Sequence, residues 1–155
     1  MNIIIALLEW LHLLATVAWI GAMTLLLLVI IPSAKKTLLP NETTFKDFMK
    51  AIGKKMTLLV NISILIFFIT GIALGILKES KSTDWFTILI IKHIIVFLMV
   101  GIHICRLKVI APYLERKAKE DPLSRTFMKL KKFQMNLVWV NLIIGIIVLL
   151  LSVIL

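Results

Sequence analysis

Four long apolar stretches constrain this chain more than any other feature. Residues 3–31 carry only Glu9 and His12 as ionisable groups, and residues 56–77 carry none. Residues 85–110 carry Lys92, His93, His103 and Cys105, with Arg106 and Lys108 at the end; residues 133–155 carry none. A membrane-crossing helix needs about 20 mainly apolar residues, so each stretch is long enough to span. The alternation expected of barrel strands is absent. The expectation is an all-α, integral membrane four-helix bundle, up-down-up-down, with helices over about 3–31, 56–77, 85–110 and 133–155 of one transmembrane domain, 1–155. Composition agrees, with 61% hydrophobic and 17% charged residues, where soluble domains hold about 45–50% and about 25%. A soluble globule and a disordered chain are both excluded. The single cysteine, Cys105, excludes an internal disulfide and a Cys-only zinc site. Pro32 and Pro112 follow the first and third stretches, where proline can stop a helix.

The charge is placed as a membrane protein places it. A net charge of +10 would suit a nucleic acid, but the positive residues sit between the apolar runs. Residues 33–55 hold six lysines against Glu42 and Asp47, and residues 106–133 hold nine basic residues against Glu115, Glu120 and Asp121. The connector 78–84 is neutral, with Lys78 and Lys81 against Glu79 and Asp84. The positive-inside rule puts 33–55 and 106–133 in the cytoplasm and both termini outside, in the cytoplasmic (inner) membrane. The expected partner is an anionic lipid bilayer, not nucleic acid. The N-terminus lacks the basic n-region of a cleaved signal peptide and reads as a mature first helix.

A weak internal repeat runs through the chain. At an offset of 80 residues, Gly21 meets Gly101, Pro32 meets Pro112 and Asn61 meets Asn141. At an offset of 79, Phe48-Met49-Lys50 meets Phe127-Met128-Lys129. Chance is the plain alternative; a real repeat means two related helix hairpins, as in parallel transporter repeats.

Ionisable groups inside a membrane are costly and mark a functional site by default. Here they are Glu9, His12, Lys92, His93 and His103, with Arg106 at the boundary, all on the first and third stretches. Counting at about 1.5 Å per residue gives two layers. The outer layer is His12 with His93 or Lys92; the inner, about 15 Å deeper, is His103 with Met23, near the level of Asn61 and Asn141. Helical spacing makes Lys92, Val96, Met99, His103 and Arg106 one stripe, and Glu9, His12, Thr16, Trp19 and Met23 another. His93 is turned about 80° from His103, which weakens a His12–His93 pairing. A packed, hydrogen-bonded histidine is the plain alternative at each position, and plain packing at Met23, Met99 and Cys105. Glu9-x-x-His12 resembles a di-iron element, but the helices supply no further carboxylates.

Opposed His and Met side chains in a membrane bundle suit haem b, one or two groups, held by His12 and His103 with His93 or Met23 as alternative ligands. Asn61, Asn141, Lys92 and Arg106 would meet the macrocycle or its propionates, and Trp19, Gly21, Gly101, Trp139 and Gly145 would line it. The work expected is electron transfer with a quinol or a redox partner protein, or haem-dependent oxidoreductase chemistry. Copper is the alternative, since Cu(I) favours thiolate, thioether and imidazole, available at Cys105, Met23, Met99, His12 and His103. But His103 and Cys105 point about 200° apart. The third alternative is an accessory subunit of a larger membrane complex; a homodimer is equally open.

The run Leu11-His12-Leu13-Leu14-Ala15, then Trp19-Ile20-Gly21 and Pro32, resembles the first helix of CopD-like copper-resistance membrane proteins. Thr70-Gly71, Lys92, Arg106 and Pro112-Tyr113-Leu114 are similar to the same domain, and the likeness covers most of the chain. CopD proteins often have eight helices, so the resemblance implies a minimal four-helix version with a copper transport or tolerance role. Leu11-His12, and Lys92 followed eleven residues later by His103, also resemble HemJ-type protoporphyrinogen oxidases, four-helix proteins that bind haem b. The HemJ arginine after the first helix and the Lys-Pro near the C-terminus have no counterpart here.

Overall fold

The computed structural model describes residues 3–77 and 83–154, with side chains over 3–77 and 86–153. The chain is all-α across these residues. Lys78, Glu79 and Lys81 of the neutral connector lie outside the described residues.

Helix α1 spans Ile3–Leu25, passes through a π-helical turn at Leu26–Ile30, and continues as α2, Ile31–Leu38. Helix α3 spans Glu42–Leu77. The second half begins with α4, Thr83–Cys105, passes through a π-helical turn at Arg106–Ile110, and continues as α5, Ala111–Glu120. Helix α6 spans Arg125–Ile154. Among the described residues, four spans are long and apolar enough to cross a membrane: Ile3–Leu38, Glu42–Leu77, Phe86–Glu120 and Arg125–Val153.

The helices run well past the apolar stretches. Most of 33–55 and 106–133, expected as connecting loops, is helical. Lysine and glutamate are good helix formers, and pairs such as Lys46–Glu42 at 2.9 Å and Lys117–Glu120 at 2.7 Å tie successive turns together. Hydropathy marks where a helix leaves lipid, not where it ends. The true ends carry capping chemistry. Asn41 Oδ1 accepts from the Thr44 backbone N–H at 3.0 Å, and Ser124 Oγ accepts from that of Phe127 at 3.2 Å. Pro40 and Pro122 stand just before these caps.

Pro32 and Pro112 do not stop their helices. Proline removes the N–H that would bond four residues back, and its ring crowds that carbonyl. Each helix absorbs the loss in a π-turn just upstream: the Ile31 N–H reaches back to Leu26 O, and the Ala111 N–H to Arg106 O. The two turns lie 80 residues apart, as do the two prolines. The offset seen in the sequence thus recurs in element boundaries.

The chain divides into two compact units, 1–80 and 81–155, each a helix hairpin. In the first, α1 and α2 pack on α3; in the second, α4 and α5 pack on α6. Ala15, Trp19, Ala22, Met23 and Leu27 form the buried stripe of the first hairpin's leading helix, facing Val60, Ser63 and Thr70 of α3. In the second hairpin, Val96, Met99 and His103 of α4 are buried, as are Val138, Asn141, Leu142 and Val148 of α6. Most other large apolar side chains are exposed, which suits lipid as the surrounding solvent.

Candidate functional site

In the first hairpin, an imidazole is locked onto the opposite helix. His12, ten residues into α1, is half-buried. Its Nδ1 lies 2.9 Å from Thr70 Oγ1 of α3. Its ring stacks on Phe67, with centroids 4.2 Å apart and planes at 29°. Gly71 completes the cradle: a Cβ there would stand 3.3 Å from His12 Cε1. Phe67, Thr70 and Gly71 share one face of α3, being three and four residues apart. Small residues at such crossings let membrane helices approach closely. The Thr70 hydroxyl also bonds its own helix, 2.7 Å from Ile66 O and 3.2 Å from Phe67 O.

Trp19 belongs to the same cluster. It lies two turns from His12, about 10.5 Å along α1, and meets Phe67 edge-on at 6.3 Å. It is 3% exposed, yet its indole Nε1 has no hydrogen-bond partner. A buried unpaired donor costs about 1–3 kcal/mol, which an acceptor from a bound group would recover.

The second hairpin buries the inner residues. His103 is 4% exposed and Met99 2%. The expected stripe of Lys92, Val96, Met99, His103 and Arg106 is the inward side of this helix: three are buried, and Lys92 and Arg106 are half-buried. Asn141 of α6 is 3% exposed, and its Oδ1 has no partner. This atom accepts hydrogen bonds, so it suits a donor and not an ionised propionate.

Other expected residues lie elsewhere. His93 is exposed, and its Nδ1–H donates to Leu89 O of its own helix at 2.7 Å, the plain reading for that histidine. Asn61 is exposed although its repeat partner Asn141 is buried. Met23 is buried on the same helix as His12. Glu9, Gly101, Cys105 and Trp139 are exposed, Gly21 is half-buried, and Gly145 is buried. Among the described residues, no three His, Cys, Asp or Glu side chains gather in a group able to hold a metal ion. A copper site would therefore lean on methionine sulfur.

The sequence marks His12 as a ligand candidate and Thr70-Gly71 only through the family resemblance, and does not join the two or point to Phe67. Thr70 lies 58 residues away and carries no charge to attract attention. Phe67-x-x-Thr70-Gly71 was nonetheless a visible signal, because a hairpin folded near residue 40 brings the level of residue 12 opposite that of residue 68.

The residue chemistry of the first hairpin is compatible with a haem: a rigidly mounted imidazole could hold iron, and the unpaired Trp19 N–H on the same face could donate to an acceptor group of the macrocycle. Comparison of the chain with protein-family models, curated proteins and solved structures finds no match.

Proposed function

We propose that this protein binds haem b in the cytoplasmic membrane and takes part in electron transfer or haem-dependent redox chemistry, with a quinol or a redox protein as its partner. One observation carries the reading: His12 is anchored by Thr70, stacked on Phe67 and seated against Gly71. A histidine kept only for packing would be replaced at lower cost by an aliphatic residue, because ionisable groups in membranes are expensive. The repeat supports this. The counterparts of Phe67, Thr70 and Gly71 at the 80-residue offset are Ile147, Leu150 and Leu151, and the counterpart of His12 is Lys92. The cradle is built in one hairpin only.

In this reading His12 would hold the haem iron, and the buried His103 is the candidate ligand of the second hairpin. Bound haem supplies one-electron chemistry. The protein's part is to hold the imidazole and to offer the Trp19 N–H. The basic ends of the spans face the cytoplasm and both termini face outward.

A dithionite-reduced minus oxidised spectrum of the detergent-purified protein tests this. The expected result is a sharp Soret and α-band pair that His12→Ala abolishes. A featureless spectrum from folded protein produced with ample haem overturns the reading. An unchanged spectrum in His12→Ala overturns the ligand assignment.

A further inference from the structure

We propose that Thr70 is a positioning residue that fixes the tautomer of His12, so that Nε2 alone is the nitrogen through which His12 takes a metal ion or a proton. The argument is proton counting. A threonine hydroxyl has one proton and two lone pairs. Thr70 directs its proton back along α3, 2.7 Å from Ile66 O and 3.2 Å from Phe67 O. A lone pair therefore faces His12 Nδ1 across 2.9 Å. Two bare lone pairs would repel at that distance, so Nδ1 carries the proton and donates it. A neutral imidazole has one N–H, which leaves the lone pair on Nε2. The charged form, with both nitrogens protonated, is costly inside a membrane.

The rest of the cradle fixes the ring plane. Phe67 covers one face at 4.2 Å, and Gly71 lies against Cε1, the carbon between the two nitrogens. Metal-bound histidines are oriented the same way, by a hydrogen bond from the nitrogen that does not bind the metal. Thr70 is a neutral acceptor, so it sets direction without adding charge. The inference rests on the haem reading for the identity of the ligand. For the tautomer it rests on hydrogen bonds alone.

The test is ¹⁵N NMR of the full chain in detergent, labelled at histidine, with His12→Gln used to assign the His12 signals. In haem-free protein near neutral pH, Nδ1 is expected at the shift of a protonated nitrogen and Nε2 at that of a bare one. Thr70→Val keeps the shape but removes the acceptor, and is expected to give a mixture of tautomers; Thr70→Ser is expected to restore the single form. A bare Nδ1 in the wild-type protein, or an unchanged spectrum in Thr70→Val, overturns the inference. Should Thr70→Val fail to fold, the wild-type spectrum still decides the tautomer. In a haem titration, Thr70→Val is expected to weaken binding about 10–100-fold, the usual effect of losing such an outer partner, and Thr70→Ser is expected to stay close to wild type. A chain that takes no haem overturns the haem reading and leaves the tautomer measurement intact.

Discussion

At the scale of single residues, the helix crossing beside His12 is governed by one missing methyl group. Gly71 and Gly75 lie one turn apart on α3, but only Gly71 faces an obstacle: a Cβ there meets His12 Cε1 at 3.3 Å, while a Cβ at 75 meets nothing within 4 Å. Alanine in place of glycine gains about 1 kcal/mol in helix propensity, and overpacking costs about 1–3 kcal/mol. Gly75→Ala is therefore expected to be neutral or stabilising by about 1 kcal/mol. Gly71→Ala is expected to be neutral or destabilising by about 1–2 kcal/mol and to push the imidazole off its bond to Thr70. Unfolding in detergent reads the first effect, and the His12 ¹⁵N signature the second. Equal behaviour of the two variants would show that Gly71 does not seat the ring. This contrast is invisible in the sequence, where both are glycines in an apolar run. The buried stripes, by comparison, were legible. The 3.6-residue period put Val96, Met99 and His103 on one face, and that face is buried. Periodicity tells which side of a helix turns inward, but not which residue of a helix 58 positions away will meet it.

At the scale of elements, the two π-turns are the feature least legible in the sequence. Pro32 and Pro112 stand where a proline can end a helix, because it strips a backbone bond from an interior turn. The helices instead accommodate one wider turn and continue. If proline holds that turn open, restoring the amide should close it. Pro32→Ala supplies the N–H, and resolving the wide turn into α-helix rotates α2 against α1 by roughly the 100° of one residue. Ala34, now 4% exposed on the side packed toward α3, would swing outward and a neighbour would take its place. Ala34→Cys in a Cys105→Ser background reports this through its rate of maleimide labelling. The expected outcome is slow labelling with Pro32 and labelling several-fold faster with Pro32→Ala. Equal rates would mean that something other than the proline holds the π-turn. Since both turns stand at the same offset from their prolines, Pro112→Ala should act in the same way on α5.

At the scale of the whole molecule, helix length and charge together predict how the chain would lie in a bilayer. The spans Ile3–Leu38 and Glu42–Leu77 are 36 residues each, about 54 Å of helix against a hydrocarbon core of about 30 Å. The excess must emerge into water on the polar side, and that side is the hairpin turn: the apolar run stops at Ile31 and resumes at Met56. The second hairpin repeats the arrangement, with Phe86–Glu120 and Arg125–Val153 meeting at a turn flanked by Arg116, Lys117, Arg125 and Lys129. Four crossings would put both turns on one side, and the positive-inside rule predicts from their lysines and arginines that this side is the cytoplasm. Single cysteines at the two turns, Asn41→Cys and Asp121→Cys in a Cys105→Ser background, test this with a membrane-impermeant maleimide. Neither is expected to label in intact cells, and both are expected to label once the membrane is opened. Labelling of both in intact cells would reverse the orientation and place His12, which lies toward the opposite end of its span, nearer the cytoplasmic face. Labelling of one alone would mean that the four helices do not all cross, and the two hairpins could not then be repeats of one membrane unit.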